Sequence, residues 1–290
     1  MSALSNLNWS CIAPVALEFS CELVLFIGLA LMLMASIIRD QKAFKNIAMV
    51  ICFGTFFLAL ICLLNTQLYS SYNFSEFLLS VSPLSKVLRL LLLVGVLFVL
   101  PHLMYSNEIH ENNKGETAII LLVAALSALI LISSNNLLLT VLCYFLNSIS
   151  ISFLLAQKKT ASEPANASIM ALSADTYSAI CLLTGVFLIF FLVGTLDYVD
   201  VAQAITSDHS RSPIKTAAFL LLLAPGLARL GFLPFQFFFT NFLRGASFFS
   251  SGVAAIIFPI TGFALIVQVV IWLFGVSWQN FSSVSDHANW

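Results

Sequence analysis

Arg229 stands inside the apolar run LLLAPGLARLGFLPFQFFF, residues 221–239, where a charged side chain needs a reason to be. Ionisable groups at membrane depth are costly, and each is a functional candidate by default. A guanidinium in such a place can oppose a carboxylate or donate to loose backbone carbonyls. With a pKa above about 12 it does not release its proton. Carbonyls and water are its expected partners here, and if the arginine is a relic, an apolar replacement should be tolerated. Glu18 and Glu22 lie four residues apart, on one face of the first apolar segment. Such a pair either handles protons or packs helices. Asp175 is expected to open the sixth helix, where the helix dipole favours an acid. His102 follows Pro101 near the end of the third segment and reads as a packing or interface residue. Cys11, Cys21, Cys52, Cys62, Cys143 and Cys181 all sit in apolar stretches without CxxC spacing. They read as small hydrophobes rather than disulfide partners or ligands. No HExxH, P-loop, GxSxG or catalytic carboxylate-pair pattern is present, so no catalytic constellation, metal site or cofactor site is expected.

The elements that must position these groups are membrane helices. Of 290 residues, 60% are apolar and only 9% are charged. Soluble domains carry roughly 25% charged residues, so this chain cannot cover a water-facing surface and lipid is its solvent. Twelve Lys and Arg against thirteen Asp and Glu leave a net charge of -1, with no hint of a nucleic-acid partner. A spanning helix needs about 20 largely apolar residues. Eight segments qualify: 11–38, 46–66, 87–106, 117–134, 137–156, 172–196, 214–240 and 247–275. The expected fold is therefore an all-α, polytopic membrane protein of about eight transmembrane helices, one domain over residues 1–290. The alternating ten-residue segments of a membrane barrel are absent. Met1 to Ser10 carries no positive charge, and the apolar run that follows is too long for a cleaved signal, so Cys11 to Ile38 reads as a retained anchor.

Orientation follows the loop cations. One side holds Arg39, Lys42, Lys45, Lys114, Lys158, Lys159 and Arg244, seven in all; the other holds Lys86, Arg89, Arg211 and Lys215, four. That bias predicts both termini on the outer side. The seventh segment carries Pro225, Gly226, Gly231 and Pro234. Proline removes a backbone donor and clashes with the preceding turn, so a discontinuous seventh helix is predicted, broken between Leu230 and Phe235 at Gly231 and Pro234. The eighth carries Gly252, Pro259 and Gly262. Interrupted helices are tolerated where they line a cavity or are covered by protein, and transporters place ion sites there.

Several stretches resemble one family when taken in order. Phe77 to Leu100, with Lys86 and its leucine run, is followed by Gly115-Glu116 and then by Ser133-Ser134-Asn135-Asn136-Leu137-Leu138. Gly194-Thr195-Leu196-Asp197, Leu227 to Phe237, and Pro259 to Ala264 complete the series. Their order and spacing across residues 75 to 275 resemble subunit 2 of NADH:quinone oxidoreductase, respiratory complex I, one of its antiporter-like membrane-arm subunits. The resemblance implies the first eight helices of a longer, roughly fourteen-helix pattern. It also implies a mitochondrial inner-membrane location. The expected partners are other membrane-arm subunits, lipids such as cardiolipin, and any second chain that supplies further C-terminal helices.

The departures from that pattern concern its proton chemistry. Phe145 stands where the family carries a glutamate on the fifth helix, and the lysine after the loop acid, here Glu163, falls near Ala167. Arg229 replaces the broken-helix lysine, and Ile260 or Thr261 stands at the eighth-helix lysine. A desolvated lysine can gain and lose a proton, whereas an arginine effectively cannot. Arg229, Glu22, Glu163 and Lys86 are the remaining candidates for a proton path. The expectation is a subunit that keeps its place in an assembly but does not run the family's path alone. The competing expectation is a stand-alone cation/proton transporter, or one half of a split subunit that still pumps with its partner chain.

Overall fold

The computed structural model describes residues 19–37, 41–69, 83–105, 108–110, 113–158, 163–198, 200–201, 204, 213–232 and 245–273. Among them are eight helices: α1 Ser20–Ala35, α2 Gln41–Tyr69, α3 Pro83–Tyr105, α4 Lys114–Ser133, α5 Leu137–Leu155, α6 Glu163–Val193, α7 Pro213–Arg229 and α8 Phe248–Leu273. The all-α expectation holds. α2 to α6 and α8 are each long and apolar enough to cross a bilayer. The described part of α1 has 16 residues and α7 has 17, both shorter than a full span. Glu18 and Pro234 lie outside the described residues.

Five of the described helices start earlier than hydropathy suggests, three of them at a proline. Pro83 opens α3, Pro164 is the second residue of α6, and Pro213 opens α7. Proline suits the first turn because its missing N–H has no intrahelical partner there and its φ is already helical. α3 and α6 therefore begin before the apolar spans expected from 87 and 172. Arg89 and Asp175 are carried into helix interiors as a result. Asp175 is not an N-terminal acid, and Arg89 is not a loop cation; removing it leaves the orientation count at seven against three.

α7 ends at Arg229. Leu230 N–H still reaches Gly226 O at 3.1 Å, and Gly231 then takes a φ of 70°, outside the helix. A left-handed residue just past the last turn is a common helix stop, and glycine adopts it without a Cβ clash. The stop falls at the N-terminal edge of the predicted break.

The helices pack in two connected cores. One joins α1 to α4 with the end of α5, the start of α6 and α8 as far as Ala264, and includes Leu25, Cys52, Phe56, Leu92, Leu129, Phe249 and Ile257. The other joins α5, α6 and α7 with the far end of α8 and includes Tyr144, Leu182, Leu222, Leu265 and Val269. α8 is the shared wall, packing on α7 on one side and α3 on the other. Two of the family-like turns lock together at one end of the bundle. Asn136 caps α5 by accepting from Leu138 N–H at 2.9 Å, and its amide donates to Asp197 at 2.8 Å. Leu137 N–H to Leu196 O (2.9 Å) and Tyr198 N–H to Asn135 O (3.1 Å) complete the clamp. Gln268 of α8 donates to Leu131 O and Ile132 O at the same end.

Candidate functional site

Four helices converge on Arg229, the last residue of α7. Its side chain is fully buried, so its N–H groups must find acceptors within the protein. Nη1 donates to Thr261 Oγ1 of α8 at 3.0 Å. Nη2 donates to Ser148 Oγ of α5 at 2.7 Å and to Tyr144 O at 3.3 Å. The same nitrogen forms an ion pair with Asp175 Oδ2 of α6 at 3.4 Å. The acid, not carbonyls and water alone, is its partner.

The hydroxyls are set up to accept. Thr261 donates its own proton to Ile257 O at 2.8 Å, and Ser148 donates to Tyr144 O at 2.8 Å. Back-bonding of this kind to the preceding turn leaves the hydroxyl lone pairs free. The guanidinium takes them. Its carbon sits 3.8 Å from the Tyr144 ring centroid and 5.3 Å from that of Phe258, within cation–π range of both. Tyr144 O–H in turn donates to Asp175 Oδ1 at 3.3 Å and lies 2.7 Å from Ser178 Oγ. The arrangement neutralises one buried charge with another and gives both guanidinium NH2 groups and both carboxylate oxygens a polar contact, leaving Arg229 Nε as the one guanidinium nitrogen without a partner among the described residues.

α8 comes close to this site because Gly262 has no side chain. A Cβ there would lie 2.9 Å from Gly226 O and 2.9 Å from Arg229 Cβ. That approach brings the next residue back, Thr261, into reach of the guanidinium.

The candidates named from sequence are dispersed. Glu22 lies in α1, buried, and pairs with Arg89 of α3 at 3.0 Å, away from Arg229. Lys86 is half-buried one turn before Arg89. Glu163 is the first residue of α6, three turns before Asp175. Phe145 is half-buried beside the second core, and its neighbour Tyr144 is the residue that meets Arg229. Ile260 joins the first core, while Thr261 faces the site. His102 is exposed and lies tilted against Phe248, ring centroids 5.1 Å apart and planes 44° from parallel. Cys21, Cys52, Cys62, Cys143 and Cys181 are free thiols. Among the described residues no three metal-ligating side chains cluster. Tyr144 and Ser148 were missed, and Asp175 and Arg89 were named in other roles, as a helix N-terminal acid and a loop cation; proline at the helix start was the signal that could have placed both in helix interiors.

The sequence profile of a family described as NADH:quinone oxidoreductase/Mrp antiporter, transmembrane region, matches residues 134–286, just over half of the chain. The chain belongs to this family. The matched region runs from the turn before α5 to beyond α8 and so contains every residue around Arg229. No curated protein sequence matches the chain. A chain of respiratory complex I from Thermus thermophilus with bound aureothin shares the fold with a TM-score of 0.71 at 20% identity, covering 86% of this chain and 52% of that one. A chain of the Mrp complex from Dietzia sp. DQ12-45-1b does so with a TM-score of 0.73 at 14% identity, covering 89% of this chain and 49% of that one. This antiporter-like chain thus spans about half the length of each. At these identities the likeness is one of fold.

Proposed function

We propose that this chain is a divergent subunit 2 of mitochondrial complex I, corresponding to the first eight helices of the antiporter-like pattern. In this reading it packs between neighbouring membrane-arm subunits and seals the inner membrane, with lipids such as cardiolipin on its outer faces. It no longer moves protons by the family's acid–lysine route. The observation that carries the reading is the chemistry of Arg229. The group at the helix break is a permanent cation, held by an ion pair and three hydrogen bonds. A relay group must gain and lose a proton, and a guanidinium fixed in this way does not.

The test is proton translocation per electron in the assembled complex carrying Arg229→Leu together with Asp175→Leu, which removes both charges at once. An unchanged ratio is expected. Normal electron transfer with a reduced ratio would sink the proposal. Native-gel co-migration with mass spectrometry of solubilised respiratory complexes tests the assembly; recovery only as a free small species would refute it. A second reading concerns the partner chains. In it a second polypeptide supplies further helices, and the same experiment would reveal that chain co-migrating.

A further inference from the structure

A second charged pair lies inside the bundle. Arg89 of α3 is completely buried and Glu22 of α1 is 7% exposed. Their depth follows from helix register. A Cβ on Gly95 would meet Ile256, and one on Gly252 would meet Val99, so α3 and α8 run antiparallel. Equal steps along the two helices from these contacts bring Arg89 level with Gly262. Gly262 is the residue that touches Arg229 from the other side. The two buried arginines therefore sit at one depth, on opposite flanks of α8.

Their surroundings differ. Arg229 makes four polar contacts and leaves Nε alone unpartnered among the described residues, whereas Arg89 makes one, to Glu22 Oε1 at 3.0 Å, with the Phe19 ring centroid 6.0 Å from its guanidinium carbon. Even that contact lacks hydrogen-bond geometry: Arg89 Nε, Nη1 and Nη2 and Glu22 Oε1 are all without a hydrogen-bond partner among the described residues. On the other carboxylate oxygen, Cys21 Sγ–H donates to Glu22 Oε2 at 2.8 Å. A buried guanidinium left this open is costly, and such groups in folded proteins are satisfied by ordered water or a ligand.

We propose that Arg89, Glu22 and Cys21 form a water-binding site within the bilayer. Charge chooses the ligand. Arg89 and Glu22 already balance, so an anion or a cation would add an uncompensated charge, whereas water adds none. Water can also both accept from the Arg89 N–H groups and donate to Glu22 Oε1, and a bound water needs two to four such partners. The site brings exchangeable protons to the Cys21 thiol and the Glu22 carboxylate at the level of Arg229, on the other side of α8. It does not depend on which assembly the chain belongs to.

Cys52 provides an internal control. It is fully buried in the first core, and among the described residues its thiol has no hydrogen-bond partner, only its carbonyl accepting from Thr55. In membranes containing the full chain, transferred to D2O, the infrared S–H band removed by Cys21→Ala should convert to S–D quickly. The band removed by Cys52→Ala should persist. The paired change Glu22→Gln with Arg89→Leu should slow Cys21 exchange to the rate of Cys52. Equal, slow exchange of the two thiols in the unaltered protein would overturn the proposal. Should the variants fail to accumulate, a water-resolving cryo-EM map of the unaltered protein decides it. Density within hydrogen-bond distance of Arg89 Nε or Nη1 is expected, and a well-ordered Arg89 with none there refutes the site.

Discussion

The Arg229 guanidinium lies 3.8 Å over the ring of Tyr144, and that ring's hydroxyl reaches Asp175, the acid that also pairs with Arg229. One tyrosine therefore serves both members of the ion pair, with its face toward the cation and its edge toward the anion. Its backbone carbonyl accepts from Arg229 as well. α5, α6 and α7 are joined through this one side chain.

With an acid as its partner Arg229 is not the relic on which tolerance of an apolar replacement depended. Arg229→Leu leaves Asp175 buried with only Tyr144 O–H on its side chain, and Asp175→Leu strands the guanidinium. Each single change should cost about 3–5 kcal/mol, the range for breaking a buried pair. The double change should recover most of that loss. Thermal unfolding of the purified protein, read as a double-mutant cycle, checks it; additive losses would show that the pair is not coupled.

Thr261→Val keeps the side-chain shape and removes the acceptor of Arg229 Nη1. With that donor unpaired the expected loss is about 1–3 kcal/mol. Thr261→Ser keeps the acceptor and should lie close to the parent. If both variants unfold alike, the hydroxyl is not the important part of the residue.

Gly262→Ala tests the approach of α8 to α7. The new methyl would lie 2.9 Å from Gly226 O, and backbone cannot swing aside as a flexible side chain can. Overpacking of this kind costs roughly 1–3 kcal/mol. The ordering should be parent above Gly262→Ala above Gly262→Val in unfolding temperature. Gly54 has open space around its Cβ position, so Gly54→Ala is the neutral control.

Tyr198 in the end clamp should mark the alkaline limit of the fold. Burial pushes its hydroxyl up to about 12, opposed by the hydrogen bond with Thr140. The folded state holds the proton more tightly than the unfolded state, so the contribution is complete below about pH 10, the ordinary tyrosine value. It is lost as pH rises from there toward about 12. In Tyr198→Phe the fall in stability across that window should be smaller. An identical alkaline profile in the two proteins would refute the assignment.

The amino-acid sequence by itself determined the solvent and the element type. A chain with 9% charged residues and eight long apolar runs has to satisfy its backbone internally, and helices do that segment by segment. It also marked Arg229 and the stop at Gly231, because one buried charge and one glycine are local signals. Helix starts were less legible: hydropathy sees apolar residues, while Pro83 and Pro164 begin helices in polar sequence. That difference moved Arg89 and Asp175 from expected helix ends into helix interiors. Partnership was decided by tertiary structure alone. Asp175 is 54 residues from Arg229 and Thr261 is 32, and nothing in their local sequence says that they meet. Which of two adjacent residues faces the site, Tyr144 or Phe145, Thr261 or Ile260, depends on helix rotation. That rotation is set by packing across α5, α6, α7 and α8 together, including the close contact that Gly262 permits.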